Sequence, residues 1–206
     1  MGRITFDDVI DEIKSEADES LRQISGIDSD TFEKTSTAIK TRGFWLGTNL
    51  LTALIAASVI NIFKETLEQV IFLAVLMPII ASMGGVAATQ TLTITVRGLA
   101  LGQIVRANYL YIFNRELMVG ISNGFIWAVI LSLIACSWFQ DWLLAWVICL
   151  SMIINLIAGV LSGMGIPILL KGLKMDPAVA GSVIVTTVTD VIGFFSFLGL
   201  ATYFYS

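Results

Sequence analysis

The hydrophobic pattern changes character near residue 44. Before it, apolar positions recur singly among charges, and after it they fuse into long runs. Phe6, Val9, Ile13, Ala17, Leu21 and Ile24 repeat at intervals of three or four, which predicts an amphipathic helix over residues 5–24. Thr5 and Asp8 resemble a capping box at its start, and Ser25-Gly26 ends it. A second short helix is expected from Asp30 through Phe32 and Ile39 to Arg42. Five apolar runs follow: Phe44–Phe63, Val70–Val96, Leu117–Gln140, Trp142–Leu170 and Ala178–Tyr205. Each meets the roughly 20 residues a spanning helix needs. The expectation is an all-α polytopic membrane protein. Residues 1–43 would form acidic cytoplasmic amphipathic helices, and residues 44–206 a domain of five transmembrane helices.

Composition agrees, with 56% hydrophobic and only 14% charged residues, well outside the range of soluble domains. Residues 1–43 hold ten of the sixteen acidic residues and six of the twelve basic ones. With that head in the cytoplasm, the same side receives Arg97, Arg106, Arg115, Lys171 and Lys174, while only Lys64 falls outside. The asymmetry places the N-terminus inside, and an odd span count places the C-terminus outside. Trp45, Trp138, Trp142 and Trp146 lie near run ends, as interfacial residues do. Residues 97–116, with an arginine every nine positions, read as an interfacial connector. A short chain with no visible cleavable signal points to the plasma (inner) membrane of a prokaryote. Nothing in it points to nucleic acid.

Histidine is absent, which excludes Ser-His hydrolysis, haem ligation and His-based zinc sites. Cys136 and Cys149 sit inside apolar runs and read as small hydrophobes. The exceptional residue is Asp190, in the middle of the last run. An ionised Asp at mid-membrane costs about 3 kcal/mol even on insertion scales, and such residues mark ion or proton pathways. None of the five runs carries an internal Lys or Arg to pair with it, so a proton or bound cation must neutralise it. Ser182, Thr186, Thr189, Asp190 and Gly193 fall on one helical stripe, with Thr187 beside it. The hydroxyls and glycine also suit close helix packing, but the acid does not.

In the second run, Pro78 followed by Gly84-Gly85 predicts a kinked or partly unwound helix. Close packing explains the paired glycines equally well. Thr89, Gln90, Thr91, Thr93 and Thr95 could line a wet path or bond to the backbone. Glu116 opens the third run and Asp176-Pro177 the fifth, positions where a helix dipole favours negative charge. Both would lie at the cytoplasmic mouth of a central path.

Pro78, Gly84-Gly85-x-x-x-x-Gln90, Arg97-Gly-Leu-Ala-Leu-Gly102, Asp176-Pro-Ala and Thr187-x-x-Asp190-x-x-Gly193, in that order across five spans, resemble the membrane domain of the MgtE family of magnesium transporters and channels. The resemblance covers about residues 40–205. It implies a homodimer with five spans per subunit and a pore on the twofold axis. Asp190 matches the family's pore-lining aspartate that holds magnesium, and Thr186 a pore-lining position one turn before it. Glu116 and Asp176 match acidic positions near the cytoplasmic end. The segment before the first span resembles the family's plug helix by placement. Val86 stands where the family usually has Asn. The family's large cytoplasmic N-terminal and CBS domains have no counterpart in the forty residues of the head. Gating would then fall to the acidic head or a separate regulatory subunit, or the protein would be constitutive.

The expected function is conduction of hydrated Mg2+, the transported ion, through the bilayer along a dimer-axis pore lined by Asp190. The alternative is a proton-coupled transporter of another solute with Asp190 as proton relay. An intramembrane aspartyl protease needs two deep acids per catalytic unit and a phosphotransfer enzyme needs a cluster, so no enzyme is expected. A purely structural subunit leaves Asp190 without a purpose.

Overall fold

Backbone amides inside a bilayer must be satisfied within the chain, so apolar runs of this length fold as helices. The structure is a computed structural model that describes residues 34–173 and 179–205. They form α1 (Thr35–Ile62), α2 (Lys64–Gln69), α3 (Phe72–Ala100), α4 (Tyr109–Phe139), α5 (Trp142–Gly172) and α6 (Val179–Tyr205). Among the described residues there is no strand, and all helices but α2 are long and apolar enough to cross a membrane. The protein is an all-α, multi-pass membrane protein. The expected head helix over residues 5–24 and the first residues, 30–33, of the one expected from Asp30 to Arg42 lie outside the described residues, as do Asp176 and Pro177.

The bundle is organised around α5, which packs against α3, α4 and α6. More than half of its most apolar stretch is buried (56%), against 6% for α1, which leans mainly on α6. Apolar side chains gain little by leaving lipid for protein, so close approach of backbones must hold such a bundle together. Gly159 and Gly163 of α5 provide it. A Cβ on Gly159 would sit 2.8 Å from the Gly84 carbonyl of α3, and one on Gly163 would run into the Ala88 carbonyl. On an adjoining face of α5, Val160 and Leu156 fill the dents left by Gly120 and Gly124 of α4.

Each end of the bundle is tied by polar contacts. At one end, Leu73, Leu76, Leu144, Ile148, Phe197 and Leu198 form the largest apolar cluster. There Thr66 of α2 shares a hydrogen bond of 2.7 Å with Thr202 of α6. Asp141 caps α5, accepting from the amides of Leu143 (2.8 Å) and Leu144 (3.1 Å), and also accepts the Tyr205 hydroxyl from the end of α6. At the other end, the Lys171 ammonium donates to the Leu99 carbonyl (3.2 Å), placing a cation at the negative end of α3.

Three expectations change. The first span does not begin at residue 44: α1 runs unbroken from Thr35, so Ile39 and Arg42 belong to the same helix as Phe44. The connector expected over 97–116 shrinks to residues 101–108. Gly102 at φ +66° turns the chain, and Asn108 closes the turn by accepting from the Val105 amide and donating to the Gln103 carbonyl. Helix α4 can therefore start at Tyr109. Finally, α3 continues unbroken through Pro78 and Gly84-Gly85. Proline removes one amide donor from the ladder, and α5 braces the glycine pair from one side, so neither unwinds the helix.

The Asp141 cap predicts a pH dependence. Partial burial would raise its pKa, but hydrogen bonds from Tyr205, Leu144 and Leu143 outweigh that and hold it below the ordinary carboxylate value. A depressed folded-state pKa stabilises the fold fully above the unfolded value, and that stability is lost as pH falls through the folded one. Tyr205→Phe should cost about 1 kcal/mol at neutral pH. The deficit should narrow as the medium is acidified below the carboxylate range. Thermal unfolding of the detergent-solubilised pair at both pH values checks this, and an equal deficit at both would refute it.

Candidate functional site

Helices α3 and α6 run antiparallel, as spans separated by two crossings must. Gly181 near the start of α6 faces Leu92 late in α3, whereas Gly193, further along α6, and Gly84, earlier in α3, meet the same α5 side chain. Between the two helices lies an open groove of about 670 Å³, lined by Ser82, Gly85, Val86, Thr89, Gln90, Thr93 and Ile94 of α3 and Thr186 of α6. Asp190 lies one turn beyond Thr186, on the same face of α6. It is half-buried and, among the described residues, has no hydrogen bond or ion pair.

The polar stripe on α6 divides lengthwise. Thr189 is fully buried, and Gly193 is packed against α5, so that edge is structural. Thr186 lines the groove, and Asp190 lies one turn further along the same face of α6. Ser182 is part-buried with its carbonyl accepting from Thr186 (2.9 Å), and Thr187 donates to the Val183 carbonyl (2.6 Å).

The same division separates the residues of α3. Gly84 is buried against α5, while Gly85 has open space where a side chain would be and lines the groove. The packing and cavity readings of the glycine pair are thus both right, one for each residue. Thr91 and Thr95 point into the bundle, and Thr89, Gln90 and Thr93 away from it. Val86 lines the groove as an apolar residue, and Pro78 is exposed outside it.

The hydroxyls of the groove share a chemical state. Thr89 donates to the Gly85 carbonyl (2.8 Å), Thr93 to Thr89 (2.8 Å), and Thr186 to Ser182 and Val183. With its hydrogen turned back onto its own helix, each oxygen keeps only lone pairs for a visitor. The Thr89, Thr93 and Thr186 oxygens thus face a visitor as acceptors in a groove whose walls are otherwise mostly apolar, with the Gln90 carboxamide, both donor and acceptor, among them.

Glu116 lies elsewhere than expected. Because α4 starts at Tyr109, Glu116 is two turns inside the helix rather than at its N-terminus. It is 4% exposed and lines a separate recess of about 340 Å³ among α3, α4 and α5, with Gln90, Thr91 and Asn123. The exposed Arg115 guanidinium approaches it to 3.7 Å. Gln90 lines both cavities and stands on the divide between them. Among the described residues, no three Asp, Glu, His or Cys side chains come together. A closed multi-carboxylate cage is therefore not built from the described part of one chain.

Residues 77–200 match the sequence pattern of MgtE, divalent cation transporters. The chain belongs to the MgtE family. It is 34% identical over 206 residues to the magnesium transporter MgtE of Bacillus subtilis (strain 168), covering 99% of this chain and 46% of that protein. It is 29% identical to the magnesium transporters MgtE of Enterococcus faecalis and of Thermus thermophilus, each over 205 residues and 45% of the relative's length. The chain thus spans a little under half the length of these MgtE proteins. The MgtE match takes in both groove-lining helices, Glu116, Asp176 and Asp190, and it places the chain among ion transporters rather than enzymes.

Asn155 escaped the sequence reading. It is fully buried on α5 between Gly84 and Gly193. The available signal was its being the lone carboxamide inside the run Trp142–Leu170.

The geometry predicts which positions water reaches. In a background with Cys136 and Cys149 replaced by alanine, Thr89→Cys, Thr93→Cys and Thr186→Cys should react with a hydrophilic cationic thiosulfonate in proteoliposomes. Thr91→Cys and Thr95→Cys should react far more slowly. Equal rates at the two sets would refute a wet groove on this face of α3.

Proposed function

We propose that the chain carries Mg2+ across the membrane along the groove between α3 and α6, with Asp190 as the group that holds the passing ion. The observation behind this reading is the unpaired Asp190 one turn from Thr186, beside a groove whose threonine hydroxyls have already spent their hydrogens on their own helices. Magnesium sheds its water reluctantly and usually keeps several waters while meeting one or two carboxylates. The waters of a hydrated cation present hydrogens outward. Thr89, Thr93 and Thr186 present lone pairs inward. The match is to the hydration shell, and the carboxylate supplies the charge.

One chain supplies a groove open on one side, so an enclosed path calls for a second copy. A homodimer with the twofold axis along the groove would bring two Asp190 carboxylates to face one another. The distribution of lysine and arginine favours the N-terminus in the cytoplasm, the C-terminus outside and insertion in the plasma membrane. An inside-negative potential would then draw the ion inward by ~2.3 kcal/mol per charge per 100 mV. Glu116 in its recess and Asp176 beyond the described residues would add negative charge toward the cytoplasmic side. Names of the relatives support the choice of magnesium among divalent cations.

The test is divalent flux into proteoliposomes under an inside-negative potential. Wild type should take up Mg2+, and Asp190→Asn should lose most of that uptake while remaining folded. Wild-type dimer without Mg2+ flux, or a mutant with undiminished flux, would overturn the assignment. Flux that follows a pH gradient without divalent competition would transfer Asp190 to the role of proton relay.

A further inference from the structure

We infer that Asn155 is a positioning residue for the cation path: it bolts α3, α5 and α6 together and so fixes where Asp190 stands against the oxygen-lined face of α3. The inference rests on the reading of Asp190 as the ion-holding group.

The bolt is visible atom by atom. Asn155 is 0% exposed at the middle of α5. Its Nδ2 donates to the Ile80 carbonyl of α3 at 2.8 Å. On one side of the amide, Gly84 of α3 leaves so little room that a Cβ there would overlap the amide atoms. On the other, a Cβ on Gly193 of α6 would lie 2.7 Å from Nδ2. The carboxamide therefore fills a slot cut by the absence of two side chains, one from each groove-lining helix. Leucine in place of Asn155 would keep the branched shape in a larger side chain but lose the hydrogen bond across helices. Serine or alanine would leave the slot unfilled.

The second observation is Asn155 Oδ1. It is buried and has no hydrogen-bond partner. A buried unpaired acceptor costs about 1–3 kcal/mol. Turning the amide over would set Oδ1 against the Ile80 carbonyl, which is worse. The flanking glycine Cα hydrogens supply only weak contacts to such an oxygen. An apolar or small side chain would avoid this cost, so packing alone is a poor reason for asparagine here. A requirement on the register of α3 and α6 is a better one.

The placement supports that requirement. Gly193 is three residues past Asp190, under one turn along α6. Ile80 and Gly84 precede Gly85 and Thr89 of the groove wall on α3. The bolt thus joins the two walls close to the level of the carboxylate. Its hydrogen bond goes to Ile80 and its amide packs against Gly84 and Gly193, so its effect on an ion would come through helix placement. Metal sites lose roughly 10- to 100-fold in affinity when groups that orient a ligand are removed.

Mn2+ binding to the purified full chain in detergent, read by the electron paramagnetic resonance signal of free Mn2+, tests this without requiring flux. Wild type should bind, and Asp190→Asn should not. Asn155→Ala should bind about tenfold more weakly. Gly84→Ala should do the same, since it wedges the same joint from the α3 side. Gly165→Ala, whose added methyl meets nothing within 4 Å, should bind as wild type does. Should Asn155→Ala fail to give monodisperse protein, Asn155→Ser carries the same comparison. A folded Asn155 variant that melts earlier yet keeps wild-type Mn2+ affinity would overturn the inference and leave a purely structural residue. Equal binding by wild type and Asp190→Asn, or no binding by either, would instead remove the reading of Asp190 on which the inference stands.

Discussion

Everything in this bundle depends on how closely α5 can approach α3. In lipid, an apolar side chain is as comfortable outside the protein as inside, so burial of leucine and valine does not by itself hold helices together. Contact area and shape must do so. Asn155, Gly159 and Gly163 recur every four residues on α5 and meet Ile80, Gly84, Ala88 and Thr91 of α3. At Gly159 and Gly163 the neighbours are backbone atoms of α3, which have no rotamer to change. This seam fixes one rotation of α3 about its axis. Thr91 and Thr95 must then face inward, and Thr89, Gln90 and Thr93 must face away from α5.

The chemistry of the groove follows from that rotation. Serine and threonine in a membrane helix normally donate to the carbonyl one turn back, which spares the helix an unsatisfied donor. On the inward face this makes a hydroxyl harmless. On the outward face it does more, because it leaves every hydroxyl oxygen as an acceptor. A neutral solute offering its own acceptors would find no donor among Thr89, Thr93 and Thr186. On the proposed reading, a hydrated cation would meet these acceptors with the charge of Asp190 one turn from Thr186.

Much of this was legible from the residues, for identifiable reasons. Span number and approximate limits follow from run length, because a bilayer imposes a length on any helix that crosses it. Asp190 stood out because a charge at that depth has no bland explanation. The ends of elements were less legible. The start of α4 depends on Asn108 closing a turn with its own neighbours, and Asn114-Arg115-Glu116 cut the short apolar stretch 109–113 off from the run that begins at Leu117. The paired glycines could not be divided by sequence, since which one faces α5 depends on a rotation that the partner helix sets. Asn155 was missed for a related reason: a lone carboxamide in an apolar run gains meaning only from the two glycines on other helices that make room for it.

One carboxylate per chain looks a sparse provision for a divalent ion, yet a conduit needs restraint. A site that stripped Mg2+ of its water and enclosed it in carboxylates would be slow to release it. Conduction requires binding strong enough to admit an ion and weak enough to let it go. A wall that holds the hydration shell through lone pairs, with a single charge to favour cations, meets both demands. It also tolerates little displacement, because a contact made through water fails when the walls separate by a fraction of a water's width. The stiff seam and the sparse site are therefore parts of one solution. If Asp190 holds the ion as proposed, few ligands would suffice because Gly84, Asn155 and Gly193 pack the two walls against one another.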